Sequence, residues 1–298
     1  MKKPLIYFLS VSFLCLSMTL AFAQSVMLKG AAEGLPRGTL PAELLIKGWL
    51  SDPFIIGLVN KNLTKERVLQ ESVDPVNKNS QNLIENIKQV TSMNKPLGII
   101  FLDKDSRIFY EEYNKGATKN SQIIGYSMSK SMTSLAVGKA LCEGYINSLD
   151  DLAQKYNPSL AQTAYGNATV KELLTMSSAG MVPNFNGQPV EGVTSALLRY
   201  RTMTLEKGFI EFGTSLYKES RKGEFVYKNF DTYALGAVVS NATKMPFHDY
   251  FSKSIWSEIG ASLDAAWLVD KNGATATADG FGAALRDWGR VALYINDQ

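Results

Sequence analysis

The apolar and polar positions along the chain predict one β-hairpin followed by a mostly helical remainder. Apolar, β-branched and aromatic residues fill 96–102 and 107–113, and the polar turn Asp103–Ser106 separates them, which is typical of two antiparallel strands. Five further segments carry apolar residues at helical spacing: 82–90, 170–175, 231–242, 247–258 and 281–294. Two strands alone do not make a stable sheet. Either the hairpin packs on helices by itself, or its partner strands are missing from this chain.

The most apolar helical pattern runs from Ile124 to Cys142, with Ser127 near its start. A helix that apolar is expected in the protein interior. Ser127 and Lys130 are three residues apart, so they share one face of this helix. A lysine one turn into a buried helix is partly desolvated, and desolvation favours its neutral amine. A neutral amine beside a hydroxyl is one way to make a serine nucleophilic without histidine.

The Ser-x-x-Lys motif is weak by itself. The chain contains three such pairs: Ser92/Lys95, Ser127/Lys130 and Ser215/Lys218. Pro96 would end a helix at the first pair, and a polar, solvated run follows the third. Only Ser127 opens a long apolar helix. In the alternative interpretation this pair is accidental, and the chain is a helical extracytoplasmic binding protein.

The first 23 residues predict a secretory signal peptide. Lys2 and Lys3 precede an apolar run over 5–20, and Ala21-Phe22-Ala23 is an A-x-A cleavage site. The apolar run is too short to span a membrane stably. We therefore expect a periplasmic or secreted protein without a stable membrane anchor.

Charge and composition exclude several kinds of partner. The 298 residues carry a net charge of +3, and loss of the two lysines in 1–23 reduces it to +1. A nearly neutral chain indicates neither a nucleic-acid partner nor an anionic membrane surface. One histidine and two cysteines form no metal-binding cluster, so we expect no metal and no cofactor. Cys15 leaves with the signal peptide, and Cys142, then alone, is expected to be a small core residue.

The histidine content limits the catalytic chemistry. A Ser-His-Asp triad needs a histidine near the nucleophile, and the chain has only His248, at the start of a predicted helix. A surface or helix-terminal role is the better interpretation of that residue. Gly125-Tyr-Ser-Met-Ser129 is not the G-x-S-x-G elbow of α/β-hydrolases, because Ser129 replaces the second glycine. If Ser127 reacts, its base must be a lysine or a tyrosine.

Three segments in order resemble the serine β-lactamase-related family. They are Ser127-Met-Ser-Lys130, Leu173-Leu-Thr-Met-Ser-Ser-Ala-Gly180 and Tyr227-Lys-Asn-Phe-Asp-Thr-Tyr-Ala-Leu-Gly236. That family includes class C β-lactamases, penicillin-binding DD-peptidases, esterases and 6-aminohexanoate-dimer hydrolases. The sequence around Ser127 and Tyr227 is most similar to the last two groups. Tyr-x-Asn alone is unspecific, since the chain contains it four times. The resemblance runs from about residue 96 to the end.

The resemblance implies a role for each matched residue. Ser127 would be the nucleophile, and Lys130 would hold or accept its proton. Tyr227 would pass that proton to the leaving group. Asn229 would hydrogen-bond the substrate or orient the lysine. The backbone N–H of Ser127, at a helix N-terminus, would be one oxyanion donor.

The resemblance also implies an α+β fold of the β-lactamase/transpeptidase type, with an antiparallel sheet, flanking helices and a helical region. The family's third motif, Lys-Thr/Ser-Gly or His-x-Gly, is absent from this sequence. We therefore expect a C-terminally truncated form with an incomplete sheet, whose own activity is in doubt. The expected organisation is a signal peptide (1–23), an N-terminal leader (24–95) and an incomplete hydrolase domain (96–298).

The functional expectation is a secreted serine hydrolase that cleaves amide or ester bonds through an acyl-enzyme on Ser127. Its partner would be a small-molecule or short-peptide amide or ester. The alternative is a penicillin-binding sensor-type module that is acylated without turnover. The sequence leaves open which substrate is used, whether β-lactams are hydrolysed, and the oligomeric state.

Overall fold

The computed structural model describes seven stretches of the chain: 25–27, 55–62, 64–71, 78–92, 96–180, 222–270 and 272–297. The predicted signal peptide and most of the segment 181–225 lie outside these residues. The described part has an α+β fold, in which strands are mainly antiparallel and helices lie against them. The fold class expected from the sequence is therefore confirmed.

The described residues form eight strands and eight α-helices. The strands are β1 (Ser25–Met27), β2 (Ile55–Val59), β3 (Gln70–Glu71), β4 (Gly98–Leu102), β5 (Arg107–Tyr113), β6 (Gln122–Ile124), β7 (Ala265–Val269) and β8 (Phe281–Ala284). The helices are α1 (Lys78–Thr91), α2 (Met128–Cys142), α3 (Ala153–Tyr156), α4 (Val170–Leu174), α5 (Asn229–Thr243), α6 (Phe247–Phe251), α7 (Ser257–Ile259) and α8 (Leu285–Asn296). A π-helical turn, Ser252–Trp256, joins α6 to α7.

The strands form two sheets. The larger sheet has the order β1-β2-β7-β8-β6 and is antiparallel throughout. The smaller sheet has the order β3-β5-β4. In it β4 and β5 form the predicted hairpin, while the short β3 pairs in parallel with β5. The hairpin prediction is confirmed.

Helix α8 connects the two sheets. It packs on β4 so closely that a Cβ on Gly289 would come within 2.5 Å of Leu102. The Arg286 guanidinium donates two hydrogen bonds, of 2.8 and 2.6 Å, to the Glu111 carboxylate on β5. The Trp288 indole donates to the carbonyl of Ile123 on β6. The hairpin therefore packs on a helix, but it also has the partner strand β3 within this chain, so neither of the two alternatives that the sequence left open describes it fully.

The core centres on aromatic side chains around β7 and β8. Phe281 is fully buried, and its ring centroid lies 4.8 Å from that of Trp267, 5.2 Å from Phe251 and 5.3 Å from Trp256. Helices α2 and α5 pack against each other. The apolar face of α5, which includes Leu235 and Val238, is buried. This rigid core supports the N-terminal ends of both helices.

The strand content expected from the sequence is wrong. Strands β1, β2, β6, β7 and β8 form the larger sheet and β3 joins the smaller one, although the sequence pattern predicted only the hairpin. All five residues of β7 are buried, so the strand lacks the alternation that marks a half-exposed strand. Residues 281–284 form β8, and the helix expected from Phe281 begins at Leu285. Likewise, Ile124 ends a strand, and α2 begins at Met128.

Two side chains lie in different surroundings from those expected. Cys142 is exposed, so its expected place in the core is wrong. Helix α2 buries only one face, and Cys142 lies at its C-terminal end on the other. His248 is at the start of α6 as expected, but it is buried, with only 5% of its surface exposed. Its ring lies against Gly57, and its Nδ1 is 3.0 Å from the Thr275 hydroxyl.

No helix in the described stretches is both long enough and apolar enough to cross a membrane.

We predict that His248 makes the fold sensitive to mild acid. Burial lowers the pKa of His248 below its ordinary value of 6.5, and the nearby Asp249 carboxylate opposes this shift only in part. A depressed pKa contributes stability above the unfolded-state value, and that stability is lost as the pH falls through the folded-state pKa. The urea midpoint of the wild type should therefore drop between about pH 7.5 and about pH 5.5. In His248→Gln this drop should be smaller, and an equal drop in both proteins would contradict the prediction.

Candidate active site

Ser127 is the N-cap residue of α2. It is exposed, and the chain reaches it from β6 through a tight turn. Tyr126, immediately before it, has φ of 44°, in the left-handed region that costs a non-glycine residue free energy. Gly125 precedes this turn, and a Cβ there would come within 2.4 Å of the Trp288 ring. The Gly125 N–H donates to the Phe281 carbonyl at 2.8 Å, so β8 holds the turn in place.

Lys130 lies one turn into α2 with its amine directed at the serine. Its Nζ donates to Ser127 Oγ at 3.1 Å and to the carbonyl oxygen of Ala278 at 2.9 Å. The lysine is partly buried, as its position one turn into an apolar helix predicted. The Ala278 carbonyl fixes the direction of the amine, and sequence reasoning did not find this contact, because a backbone oxygen carries no residue signature.

Tyr227 approaches the serine from another element. It lies two residues before α5, and its hydroxyl donates to Ser127 Oγ at 2.7 Å. The Lys130 amine lies over its ring, 4.9 Å from the centroid. The Tyr227 side chain is 55% exposed, so the group faces solvent. The structure thus brings together Ser127, Lys130 and Tyr227, three residues that the sequence singled out.

Asn229, the first residue of α5, is directed at another group. Its amide nitrogen lies 3.4 Å from Asp279 Oδ2, and the Tyr233 hydroxyl donates to Asp279 Oδ1 at 3.0 Å. Burial raises the pKa of Asp279 to about 6, and the positive charge of Lys130 opposes that shift. A buried carboxyl group with a raised pKa beside a charged side chain makes Asp279 a candidate residue of the site. Sequence reasoning missed Asp279, since a lone aspartate in a segment of small residues gives no local signal.

The short segment 277–281 connects the elements of the site. The Thr133 hydroxyl on α2 donates to the Thr277 carbonyl at 2.8 Å. The Thr277 hydroxyl donates to the Thr232 carbonyl on α5, also at 2.8 Å. The Phe281 N–H donates to Ser129 Oγ at 2.9 Å. The segment therefore holds the serine helix and the tyrosine helix in one fixed relation.

The segment 173–180 is the remaining one of the three segments whose sequence resembles the serine β-lactamase-related family. Helix α4 begins with a capping box, in which Thr169 and Glu172 each bond the other's backbone N–H. The helix ends at Leu174, earlier than predicted, and Met176 takes a φ of 52°. The following Ser178 is fully buried and bonds to Asp231 and Lys228 on the tyrosine segment.

The α+β fold and a serine that accepts hydrogen bonds from both a lysine and a tyrosine define the class of β-lactamase-like serine hydrolases. A family model named Beta-lactamase matches residues 100–294, about two thirds of the chain. The chain belongs to the Beta-lactamase family.

Comparison with individual proteins refines this picture. The chain is 27% identical, over 198 residues, to the 6-aminohexanoate-dimer hydrolase of Paenarthrobacter ureafaciens, which covers 65% of this chain. It spans about half (50%) of the length of that curated relative.

Solved structures share the fold. A Bacillus anthracis protein provisionally assigned as a 6-aminohexanoate-dimer hydrolase aligns with a TM-score of 0.69 and 21% identity, over 87% of this chain and 74% of its own. A class C β-lactamase from Rhodobacter sphaeroides aligns with a TM-score of 0.50 and 17% identity, over 70% and 63%. At these identities the comparison concerns the fold alone. The residue roles and the domain boundaries stay predictions.

We predict that the contact between α5 and segment 277–281 tolerates no added methyl group. A Cβ on Gly236 would come within 2.5 Å of Thr277. Gly236→Ala should lower the free energy of unfolding by about 1–3 kcal/mol through overpacking, and it should also slow any reaction at Ser127. Gly138→Ala is the matched control on α2, because a Cβ there meets nothing within 4 Å. It should leave stability unchanged or raise it by about 0.5–1 kcal/mol. Equal effects of both changes in urea denaturation would contradict the prediction.

Proposed function

We propose that this protein is a serine hydrolase that cleaves amide or ester bonds through an acyl-enzyme on Ser127. One observation carries the proposal. Ser127 Oγ accepts hydrogen bonds from Lys130 Nζ at 3.1 Å and from the Tyr227 hydroxyl at 2.7 Å. A nucleophile within hydrogen-bond reach of two proton-transfer groups is the signature of covalent catalysis. Membership of a serine hydrolase family supports the same reaction.

The geometry suits a two-step reaction. Ser127 Oγ attacks the carbonyl carbon while its proton passes to whichever neighbour is deprotonated, the neutral amine of Lys130 or the phenolate of Tyr227. The tetrahedral intermediate then collapses, the C–N or C–O bond breaks, and Tyr227 passes the proton to the leaving amine or alcohol. Water attacks the acyl-serine ester, releases the acid and returns a proton to Ser127. Both groups lie within hydrogen-bond distance of the serine oxygen, so the deprotonated one accepts the proton without large displacement of any side chain.

The oxyanion of the intermediate needs preorganised donors. We assign one of them to the backbone N–H of Ser127, which lies at the N-terminus of the 15-residue helix α2. The helix dipole adds favourable potential there. Loss of one oxyanion donor typically costs about 2.7–4 kcal/mol of the barrier, so a shift of this helix end would reduce the rate strongly.

The proposed substrates are small linear amides and esters. The curated relative is named for hydrolysis of a 6-aminohexanoate dimer, which is an aliphatic amide. Apolar side chains next to the site in the chain are exposed: Met128 by 51% and Phe225 by 71%. They follow Ser127 and precede Tyr227 respectively, and they offer apolar surface to a methylene chain. In this proposal Asn229 hydrogen-bonds the substrate through its side-chain oxygen, since its amide nitrogen is directed at Asp279.

We further propose that the protein acts in the periplasm or outside the cell, after removal of residues 1–23. The support is the charged start, the apolar run and the A-x-A site of that segment. Secretion and cleavage are testable by N-terminal sequencing of the mature protein from cell fractions.

The first prediction of this proposal concerns covalent labelling. Intact-protein mass should increase by one acyl group after exposure to p-nitrophenyl acetate, and Ser127→Ala should show no increase. An adduct that disappears on dilution supports an enzyme with turnover. If benzylpenicillin forms a stable adduct and no tested compound forms an adduct that is hydrolysed, the protein is a penicillin-binding sensor and the enzyme proposal is wrong. An unchanged increment in folded Ser127→Ala would refute the proposed nucleophile.

The second prediction separates Tyr227 from other tyrosines. Tyr227→Phe removes only the hydroxyl that bonds Ser127, so acylation should slow by about 10²- to 10⁴-fold. Its unfolding free energy should change by no more than about 0.5 kcal/mol, since the side chain is largely exposed. Tyr145→Phe is the matched control, because Tyr145 also begins a Tyr-x-Asn sequence and is 40% exposed. Equal acylation rates in the two variants would remove Tyr227 from the mechanism.

A further inference from the structure

Three buried polar residues lie beside the catalytic group without contacting Ser127. They are Ser178, Lys228 and Asp231, called here the Lys228 cluster, and they are 0%, 5% and 0% exposed. Lys228 Nζ donates to both the carbonyl and the hydroxyl oxygen of Ser178, the latter at 3.0 Å. The Ser178 hydroxyl donates to Asp231 Oδ1 at 2.6 Å, and Lys228 Nζ lies 3.5 Å from Asp231 Oδ2.

Burying these charges is costly. Burial raises the pKa of Asp231 to about 6 and lowers the pKa of Lys228, and in each case the charge of the other residue opposes the shift. A buried ion pair of this kind is weak evidence for added stability, since apolar residues of similar size often stabilise a fold as well. A role in fixing the position of neighbouring groups explains its presence better.

The Lys228 cluster joins two chain segments that are far apart in sequence. Ser178 and Lys228 are separated by 50 residues. Backbone hydrogen bonds run beside the cluster, from the Val226 N–H to the Met176 carbonyl at 2.9 Å and from the Gly223 N–H to the Ser177 carbonyl at 3.0 Å. The chain around Tyr227 is therefore held on both sides, at 226 through its backbone and at 228 through its side chain.

Tyr227 depends on this support because its side-chain contacts reported above, with Ser127 and Lys130, are to the groups on which it would act. Its side chain is more than half exposed, so packing does not fix the ring. Lys228 has extended backbone angles, φ −139° and ψ 134°, and side chains of successive extended residues point in opposite directions. The Lys228 side chain therefore enters the interior, while Tyr227 faces Ser127.

We propose that the Lys228 cluster is a positioning device that holds the Tyr227 hydroxyl at Ser127. The inference rests on the proposed function, since it assigns residues that act on the reaction through Tyr227. Ser178, Lys228 and Asp231 are positioning residues in this proposal, because none of them contacts the reacting oxygen.

The test is a double-mutant cycle read by the acylation rate. Single-turnover labelling by p-nitrophenyl acetate is followed by intact mass in the wild type, Lys228→Met, Tyr227→Phe and the double variant. Lys228→Met should slow acylation by at least about tenfold, because displacing a catalytic group by about 1 Å can cost 100-fold. In the Tyr227→Phe background the same change should have little further effect. Lys228→Arg, which keeps the charge, should recover part of the rate.

Two results would overturn the proposal. One is an effect of Lys228→Met that is just as large without the Tyr227 hydroxyl, which would make the cluster merely structural. The other is an unchanged rate in folded Lys228→Met. If Lys228→Met does not fold, Ser178→Ala keeps both charges and takes its place in the same cycle. Absence of labelling in the wild type would instead refute the proposed function, so the two failures are distinguishable.

Discussion

The site depends on the hydrogen bonds that the short segment 277–281 makes to two helices at once. The Thr277 carbonyl accepts a hydrogen bond from α2, and the Thr277 hydroxyl donates one to α5. The Ala278 carbonyl accepts a hydrogen bond from the Lys130 amine. The backbone of Phe281 forms hydrogen bonds with the Ser129 hydroxyl and the Gly125 N–H. Buried polar groups must find partners, so these contacts leave the two helices one relative position. Phe281 also places its ring in the aromatic core, which anchors the C-terminal end of the segment there.

The geometry of the candidate site follows from where two helices begin. Ser127 caps α2, and Tyr227, which directly precedes the N-cap of α5, directs its hydroxyl at Ser127 Oγ. Both oxygens therefore lie at the N-terminal end of α2, where the backbone favours negative charge. The strained Tyr126 and the Lys228 cluster lie immediately beside these two residues. Local strain and buried charge both cost stability, and here both lie next to the groups that the proposed reaction uses.

Several features could be predicted from the sequence because their physical cause is local. The hairpin at 98–102 and 107–113 follows from strand composition and a polar turn. Helical spacing alone places Lys130 on the same face as Ser127, and the observed distance of 3.1 Å between their functional atoms agrees with it. The approach of Tyr227 was implied only by the resemblance of three segments in order. Composition could not supply it, since four tyrosines stand in the same Tyr-x-Asn pattern.

The sequence by itself thus determined the hairpin, the main helices and the pairing of serine with lysine, since each needs only neighbours within a few positions. Only the tertiary structure decided the rest. Strand β7 pairs with β2 more than 200 positions away and is buried on both faces, so no alternation marks it. The Ala278 carbonyl, Asp279 and the Lys228 cluster act through contacts across 50 or more residues. The burial of His248 and the exposure of Cys142 likewise depend on what packs against each helix face. Such contacts exist only once the chain has folded, and residue type alone does not specify them.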